Sequence, residues 1–389
     1  MKTGWELHLR HYGRDGVVKN AYIAPLAASY TNSLANDEPL SFSLNETTYN
    51  DLTAVAEFDV IEVMIRNLGL GIKSAGGGFV RDFVGIVRGS KPDRFTDETG
   101  QVILTWQAPE QKHVLSWRRV GWPAGVADRS VFVLESAETV AKTLINYNAT
   151  GLATVGNGRH RAGSLAAMGA DLSVEADGGQ GANVSLTFAG ANLLEGLAHV
   201  CELGGDYYQI EWQGGSLAGD HEYAITWGRG EDKSAGANRV LFSSETNTMA
   251  NPRRRYIPAA GTVAITAGQG QGSDREIEIV TGGDYAATND LELWVDARDI
   301  EAGDTDGLTG RADSKLDDAA EQSTLEFDVL QTGDIFYSPT AVTGRKTYHV
   351  GDRVLASYGG EEVRRIRRAI VDWNQDGQLA VSIETELWE

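Results

Sequence analysis

The sequence has one cysteine, few prolines and no long apolar run. Because Cys201 has no partner, an intrachain disulfide and a metal cluster held by thiolates are both excluded. It follows Leu197 by about one helical turn, which favours a small buried core residue. No stretch approaches the ~18 uninterrupted apolar residues typical of a membrane-spanning helix, and the first residues show no apolar signal region. We therefore expect a soluble protein made in the cytoplasm, without membrane insertion.

Positive charge is scarce as well. The chain has 34 Lys and Arg against 55 Asp and Glu, a formal net charge of −21. Such an acidic surface repels nucleic acid and anionic membranes, which argues against duplex binding. It suits a wall past which DNA slides without sticking, although acidity that merely keeps a protein soluble is the more common case.

Glycine is abundant and proline rare, with 46 and 8 residues, which is typical of short strands joined by tight turns. From residue 5 to about 134 the apolar residues recur with period two, as half-buried strands require. This pattern predicts a small antiparallel β-barrel domain over residues 1–134. Its predicted strands are 5–12, 17–23, 57–65, 79–88, 101–106 and 112–118.

The period then changes to that of a helix. Ser136 is placed to cap a helix running to residue 149, and a second helix begins near Asn192 and stops at Gly204-Gly205. With strands around these helices, residues 135–237 are predicted to form an α+β domain. The strands are 184–188, 206–212 and 221–227.

Strand patterns return after residue 238. They predict a second barrel over 238–389, with an α/β insertion near 282–322 that contains a short helix at 312–321. The predicted fold class is thus mainly β with α+β: two small antiparallel β-barrel domains flanking an α+β domain. The strands are 239–243, 261–267, 275–281, 324–330, 347–357, 363–372 and 378–386.

Motifs for catalysis are incomplete. His221-Glu222 begins a zincin motif, but Ile225 stands where the second histidine is needed. The segment 214–218, Gly-Gly-Ser-Leu-Ala, lacks the last glycine of a nucleophile elbow and is interpreted as a hairpin loop. Among 55 acidic residues no pair stands out for glycoside hydrolysis. We predict no catalytic residues, no metal site and no cofactor.

Two further segments imitate ligand loops. Asp372 to Gly377 begins like a calcium loop, but the twelfth ligand position is Ile383, and Asp376-Gly377 favours a hairpin. Gly268, Gly270 and Gly272 imitate a phosphate loop, yet an alternating strand pattern follows from Arg275 instead of a helix.

Two basic islands remain in this acidic chain. One reading is solvated faces with local salt bridges, and the other is contact with acidic surfaces of neighbouring subunits; clustering alone favours neither. The islands are the candidate subunit-interface residues Arg253, Arg254 and Arg255, and Arg364, Arg365, Arg367 and Arg368.

The order of segments resembles the hub proteins at the tail tip of long-tailed phages, the siphophage baseplate-hub family. The likeness covers roughly residues 130–385 and lies in five segments. The loop with Gly268, Gly270, Gly272 and Arg275 is similar to the family's most distinctive stretch. The segments are Ser136-Ala137-Glu138-Thr139-Val140, Asn192 to Leu197 with Gly204 to Tyr207, Leu241 to Ser244, Ala267 to Arg275, and Tyr348 to Val354.

The resemblance implies a structural virion protein at the tail tip. It implies a homotrimer whose barrels, two per subunit, form a pseudo-six-fold ring between the six-fold tail tube and the three-fold tip, lining the DNA channel. The implied partners are the distal tail protein ring, the tape measure protein and tail-tip or fibre proteins, with DNA only in transit. The alternatives are a receptor- or carbohydrate-binding tail-tip protein, suggested by nine Trp and thirteen Tyr, and a peptidoglycan hydrolase, which would need an acid/base pair.

Overall fold

The structure is a computed structural model of the 389-residue chain. It describes all residues except 1–3, 36–37, 68–77, 90, 126–128, 164–170, 189, 214–221, 229, 284, 301, 331–334, 341–344, 375 and 389. Strands account for 46% of the chain and helices for 17%, so the predicted mainly β class with α+β is confirmed.

The described chain contains 24 strands and four α-helices. The strands are β1 Trp5–Tyr12, β2 Val18–Ile23, β3 Ala27–Ser33, β4 Pro39–Asn45, β5 Val60–Asn67, β6 Val80–Ile86, β7 Asp93–Thr96, β8 Val102–Pro109, β9 Ser130–Ser136, β10 Asp171–Val174, β11 Asn183–Phe188, β12 Tyr208–Trp212, β13 Glu222–Trp227, β14 Leu241–Ser243, β15 Met249–Ile257, β16 Val263–Ala267, β17 Ile277–Thr281, β18 Glu292–Asp296, β19 Gln322–Val329, β20 Ile335–Tyr337, β21 Lys346–Tyr348, β22 Arg353–Ser357, β23 Glu361–Asn374 and β24 Leu379–Leu387. The helices are α1 Glu46–Asn50, α2 Ala137–Ala149, α3 Leu193–Gly204 and α4 Thr305–Ala319.

A ten-stranded sheet crosses the predicted domain boundaries. Its order is β15-β19-β24-β23-β3-β4-β8-β7, with β22 and β14 attached beside β23. The N-terminal and C-terminal parts of the chain meet where β3 pairs antiparallel with β23, Tyr30 opposite Val371. A second sheet, β2-β1-β5-β6, belongs to the N-terminal part alone. We name strands β1 to β8 the N-terminal β unit, and strands β14, β15 and β19 to β24 the C-terminal β unit. The two β units therefore share one sheet.

Two segments of the N-terminal part differ from their predictions. Residues 112–118 were predicted as a strand, but Gln111–Trp117 is a 3₁₀ helix whose adjacent Val114 and Leu115 are both buried. Two buried neighbours in sequence fit a three-residue repeat and not the two-residue repeat of a strand. Strands β3 and β4 were not predicted; β3 is built largely of Ala and Ser, which have weak strand propensity.

The middle of the chain follows its prediction closely. The Ser136 side chain accepts the Thr139 amide at the start of α2, and Asn192 accepts the Leu194 amide at the start of α3. Gly205 ends α3 in the left-handed conformation, at φ 71°. Cys201 is fully buried, as predicted. One hydrophobic core runs through α2, α3 and the strands of both β units.

The insertion begins earlier than its predicted start near residue 282. Strand β16 pairs with β17 and β18, and α4 covers one face of this three-stranded sheet. Because β16 and β17 belong to it, we propose that the insertion starts after Ile257, the end of β15. Its helix is Thr305–Ala319, capped by Asp304, and not 312–321. A small core of its own, with Ala264, Val295 and Leu316, holds it together.

Among the four α-helices described, none has the length and apolar character needed to cross a bilayer.

The contact of α2 with α3 provides a first test. A Cβ on Gly204 would lie 2.2 Å from the Cβ of Ala137, so Gly204→Ala overpacks the point where the helices touch. We expect a loss of about 2 kcal/mol in the free energy of unfolding, measured by urea denaturation. Gly151→Ala is the control, because its Cβ would meet nothing within 4 Å. Equal stability of the two variants would contradict the close approach.

Candidate functional site

Arg364, one of the seven predicted interface residues, lies in the interior of the subunit. Its guanidinium is 0% exposed and donates to Thr385 Oγ1 at 2.9 Å, to Glu362 Oε2 at 2.7 Å and to the Ser323 carbonyl at 2.6 Å. Burial lowers the pKa of Arg364, and Glu362 opposes that shift. The residue therefore satisfies a buried charge by joining β19, β23 and β24.

Its neighbour Arg365 is also buried and connects β23 to the end of α3. It pairs with Glu386, with Nε 2.7 Å from Oε1, and donates to the Gly205 carbonyl at 2.8 Å. Its guanidinium stacks over the rings of Tyr207 at 4.9 Å and Trp388 at 4.7 Å. Such stacking suits the flat arginine group and holds the C-terminal β unit against the middle domain.

Arg367 and Arg368 tie β23 to two other regions. Arg367 pairs with Glu202 of α3 at 2.9 Å. Arg368 pairs with Glu38, which follows β3 in the N-terminal part. All four arginines of this island thus have carboxylate partners within the chain, as the local salt-bridge reading proposed.

The other island lies on β15, an edge strand of the ten-stranded sheet. Arg254 pairs with Glu362, with Nη1 2.8 Å from Oε1, so the two islands meet at one carboxylate that also contacts Arg364. Arg253 and Arg255 point to solvent. An interface role for the seven arginines stays a prediction, and exposure favours Arg253 and Arg255 for it.

The glycine loop that resembled the hub family has a clear structural role. Gly270 has φ 104°, and a Cβ there would lie 2.3 Å from the Asp274 carbonyl oxygen. Arg275 closes the loop by donating to the carbonyls of Gly268 at 3.1 Å and Ala267 at 3.0 Å. The loop contains only the three-residue 3₁₀ helix Gly272–Asp274, and strand β17 then follows, as predicted, in place of the α-helix that a phosphate loop requires.

Gly272 and Arg275 also determine the shape of this loop. Gly272 has φ 57°, again in the left-handed region that favours glycine. The Arg275 guanidinium also pairs with Asp296 at 3.1 Å and lies over the Trp294 ring at 5.6 Å. The loop is therefore fastened to β18 across the small sheet of the insertion.

The structure describes some of the remaining sequence motifs. Gly377, at φ 75°, turns the chain between β23 and β24, so the predicted hairpin over Asp376-Gly377 is confirmed. His221 and the segment 214–218 lie outside the described residues. Within the part of the chain that is described, no three His, Cys, Asp or Glu side chains come together as metal ligands would.

A buried polar network was not predicted. Asp82 on β6 is 0% exposed and accepts from Tyr30 at 2.5 Å, from Tyr337 at 3.2 Å and from His349 Nε2 at 3.0 Å. Burial first, and then the Asp82 carboxylate, raise the pKa values of both tyrosines well above normal, so they remain donors. The network joins the two β units beside a cavity of about 270 Å³ that also borders Trp212 of the middle domain.

Sequence reading had no signal for this network, because residues 30, 82, 337 and 349 are far apart in the chain. A single buried acid on a strand is an ordinary observation. Only the tertiary fold brings donors from β3, from β20 and from the residue after β21 to this acid on β6.

The shared carboxylate Glu362 predicts an acid-dependent loss of stability. Burial alone would raise its pKa, but hydrogen bonds from Arg254 and Arg364 hold the pKa below its ordinary 4.5. A depressed pKa means that this stabilisation is complete above pH 4.5 and is lost as pH falls through the folded-state pKa. We expect Glu362→Gln to cost about 3 kcal/mol at pH 7 in urea unfolding, and less as the pH approaches 3.

The adjacent Glu361→Gln is the matched control, since Glu361 is 56% exposed in its pair with Arg239. We expect a change under about 1 kcal/mol there. A Glu362→Gln deficit that stays constant from pH 7 to pH 3 would contradict the charge argument.

The Asp82 network predicts a second, larger effect. Asp82→Ala leaves the two buried tyrosine hydroxyls and the partly buried His349 ring without their acceptor, so we expect a loss of about 4 kcal/mol in the free energy of unfolding. Tyr30→Phe removes one of the three bonds, that from the Tyr30 hydroxyl, and should cost about 1 kcal/mol. Equal losses for the two variants, in the same urea titration, would show that the carboxylate is not the centre of the network.

The comparisons with known proteins agree with this architecture. The chain is similar to the 43 kDa tail protein of prophage MuSo2 from Shewanella oneidensis, at 15% identity and TM-score 0.56, with 98% of each chain covered. It is also similar to the tail protein from Neisseria meningitidis MC58, at 12% identity and TM-score 0.57, with 98% of this chain and 96% of that one covered. In the lidded Francisella PdpA-VgrG complex a chain matches at 8% identity and TM-score 0.52, with 100% of this chain and 53% of that one covered.

At these identities the likeness shows the fold. No curated protein sequence matches this one. The sequence profile of the Siphovirus ReqiPepy6 Gp37-like protein family matches residues 78–385, well over half of the chain. The predicted resemblance to a phage tail-tip protein is thereby confirmed, and the chain belongs to the Siphovirus ReqiPepy6 Gp37-like protein family of phage tail proteins.

Proposed function

We propose that this tail protein is the trimeric hub of the tail tip. It joins the six-fold tail tube and distal tail ring to the three-fold tip, and it lines the DNA channel without catalysing a reaction. The observation that carries this proposal is the shared sheet: β3 pairs with β23, so each subunit offers two β units in a fixed relation. Three copies then offer six β units, which suits a junction between six-fold and three-fold symmetry.

The charge of the chain supports a channel role. Each subunit has a net charge of −21, and a trimer has three times that value. Negative walls repel the phosphate backbone, so DNA passes without a bound state that would slow it. The closed ring uses one surface of each subunit against a different surface of the next.

The proposed surroundings follow from the same role. The protein is a component of the virion tail, and we place it at the tip, after assembly in the host cytoplasm. Its proposed neighbours are the distal tail ring, the tape measure protein and the tip or fibre proteins. We propose no cofactor and no membrane insertion.

Receptor or carbohydrate binding is the alternative. It was suggested by the aromatic content, but Trp212 and Tyr223 of the middle domain are 1% exposed and belong to the core. Core aromatics cannot stack on a sugar, and the exposed Trp294 ring already has the Arg275 guanidinium over it at 5.6 Å, so the hub remains the better supported function.

The deciding measurement is the mass of the purified protein, by light scattering after size exclusion. We expect about three times the 41.9 kDa of the monomer, either alone or after mixing with the distal tail ring. A protein that stays monomeric with the ring and binds a glycan array would overturn the hub and establish the alternative.

A further inference from the structure

The insertion presents an apolar sheet face to solvent. Ile265, Ile279 and Trp294 lie opposite one another in a row across β16, β17 and β18. Ile279 is 61% exposed and Trp294 63%, and Ile277 adds to the same face. Exposed apolar rows of this kind mark interaction surfaces in soluble proteins.

This face points away from the rest of the described chain. The opposite face, with Ala264 and Val295, packs on α4, and α4 in turn packs on β9 and β11. An acidic rim surrounds the apolar row, and we name row and rim together the acidic face. The exposed acids of the rim are Asp274, Asp290, Glu292 and Asp296; Asp296 pairs with Arg275 and Arg298, and the four acids outnumber these two arginines.

A surface of opposite character lies on the middle domain. Residues 150–163 form a loop after α2, closed by a 2.8 Å hydrogen bond from the Gly163 amide to the Ala153 carbonyl. Leu152 and Val155 of this loop are 69% and 64% exposed. The segments 118–125 and 150–163 contain no Asp or Glu, although the chain has 55 acidic residues.

Arginines accompany these two apolar side chains. Arg159 lies against Gly121, and Asn157 donates to the Trp122 carbonyl at 3.0 Å, so the two segments lie together. Burial lowers the pKa of Arg118, and the charges of Arg159 and Arg161 lower it further. Arg119 and Arg161 are exposed. We name Leu152, Val155 and the arginines together the basic loop; its arginines are Arg118, Arg119, Arg159 and Arg161.

We propose that the acidic face of one copy of this chain docks on the basic loop of the next copy in the trimer. The inference rests on the proposed trimer and names the surfaces that form it. Each surface has an apolar centre with a charged rim, and the two rims are of opposite sign, which is the arrangement that fixes partner and register at interfaces. Two acidic faces repel each other, as do two basic loops, so the contact runs head to tail and closes a ring.

Engineered cysteines provide the test. The native Cys201 is fully buried, and burial raises the pKa of its thiol to about 12, so it stays unreactive. We would introduce Ile279→Cys in the acidic face and Leu152→Cys in the basic loop, and treat the full-length protein with a short bismaleimide. The double variant should give covalent trimers, each single variant only monomers, and the two singles co-expressed covalent dimers but no trimers.

The controls separate this inference from the hub itself. Tyr22→Cys with Leu152→Cys places equally exposed thiols on unrelated surfaces and should give no covalent trimer. Wild-type trimers whose double variant fails to cross-link would overturn the docking proposal and leave the hub standing. Cross-linking of Ile279→Cys alone would also overturn it, because the acidic face would then pair with itself. Wild-type protein that is monomeric both alone and with the tail ring would overturn hub and docking together.

A charge exchange adds a second readout. Glu292→Arg and Arg161→Glu should each raise the concentration at which the trimer dissociates about tenfold, and the combination should restore most of the loss. If each single change and the combination leave the dissociation concentration unaltered, the rims do not face each other.

Discussion

The pairing of β3 with β23 is the constraint on which the rest of the structure depends. Seven residues of β3, Ala27–Ser33, lie opposite Arg368 to Asn374 near the other end of the chain. Bringing such distant segments together costs chain entropy, and only a large buried surface repays it. The core that runs through both β units supplies that surface. Without the pairing the ten-stranded sheet would divide into an N-terminal and a C-terminal half.

Buried charge reinforces that pairing where apolar contact alone would not specify it. Asp82 accepts hydrogen bonds from Tyr30 on β3 and from Tyr337 in the C-terminal part. Arg368 of β23 pairs with Glu38, which follows β3 in the sequence. A buried carboxylate or guanidinium is tolerated only with its partners in place. Each group therefore penalises a shifted register more than an apolar residue would. In the second arginine island Arg364 and Arg365 have this role, because both are buried in the interior of the subunit.

Local signals made parts of the fold predictable. Ser136 and Asn192 start helices through their own side chains, and Gly205 ends one, so α2 and α3 could be placed from a few neighbouring residues. Strand β3 could not, because Ala and Ser carry little strand preference and its stability comes from β23. Strand β4 was overlooked although Leu40, Phe42 and Leu44 alternate clearly.

The candidate site was harder for the same reason. The sequence shows Arg254 and Arg364 as members of arginine clusters, but it does not show that both bind Glu362. Whether two arginines share a carboxylate depends on the order of the strands in the folded sheet. The glycines of the family-like loop are visible in the sequence. The ion pair of Arg275 with Asp296, which holds the loop in place, is not, because Asp296 lies on a parallel strand further along the chain. Sequence pattern identifies which residues are unusual, and topology decides what they contact.

The high negative charge of each subunit opposes assembly, but the local distribution of charge at the proposed contact favours it. Subunits of −21 repel one another as whole bodies, but in physiological salt that repulsion is screened beyond about 8 Å. What remains at contact is the local pattern, and there the acidic face and the basic loop have opposite signs around apolar centres. Four arginines are grouped in the basic loop, which makes this one part of an acidic chain locally positive. In the proposed trimer, the same chain repels DNA along a channel while it attracts its own copies at one defined contact.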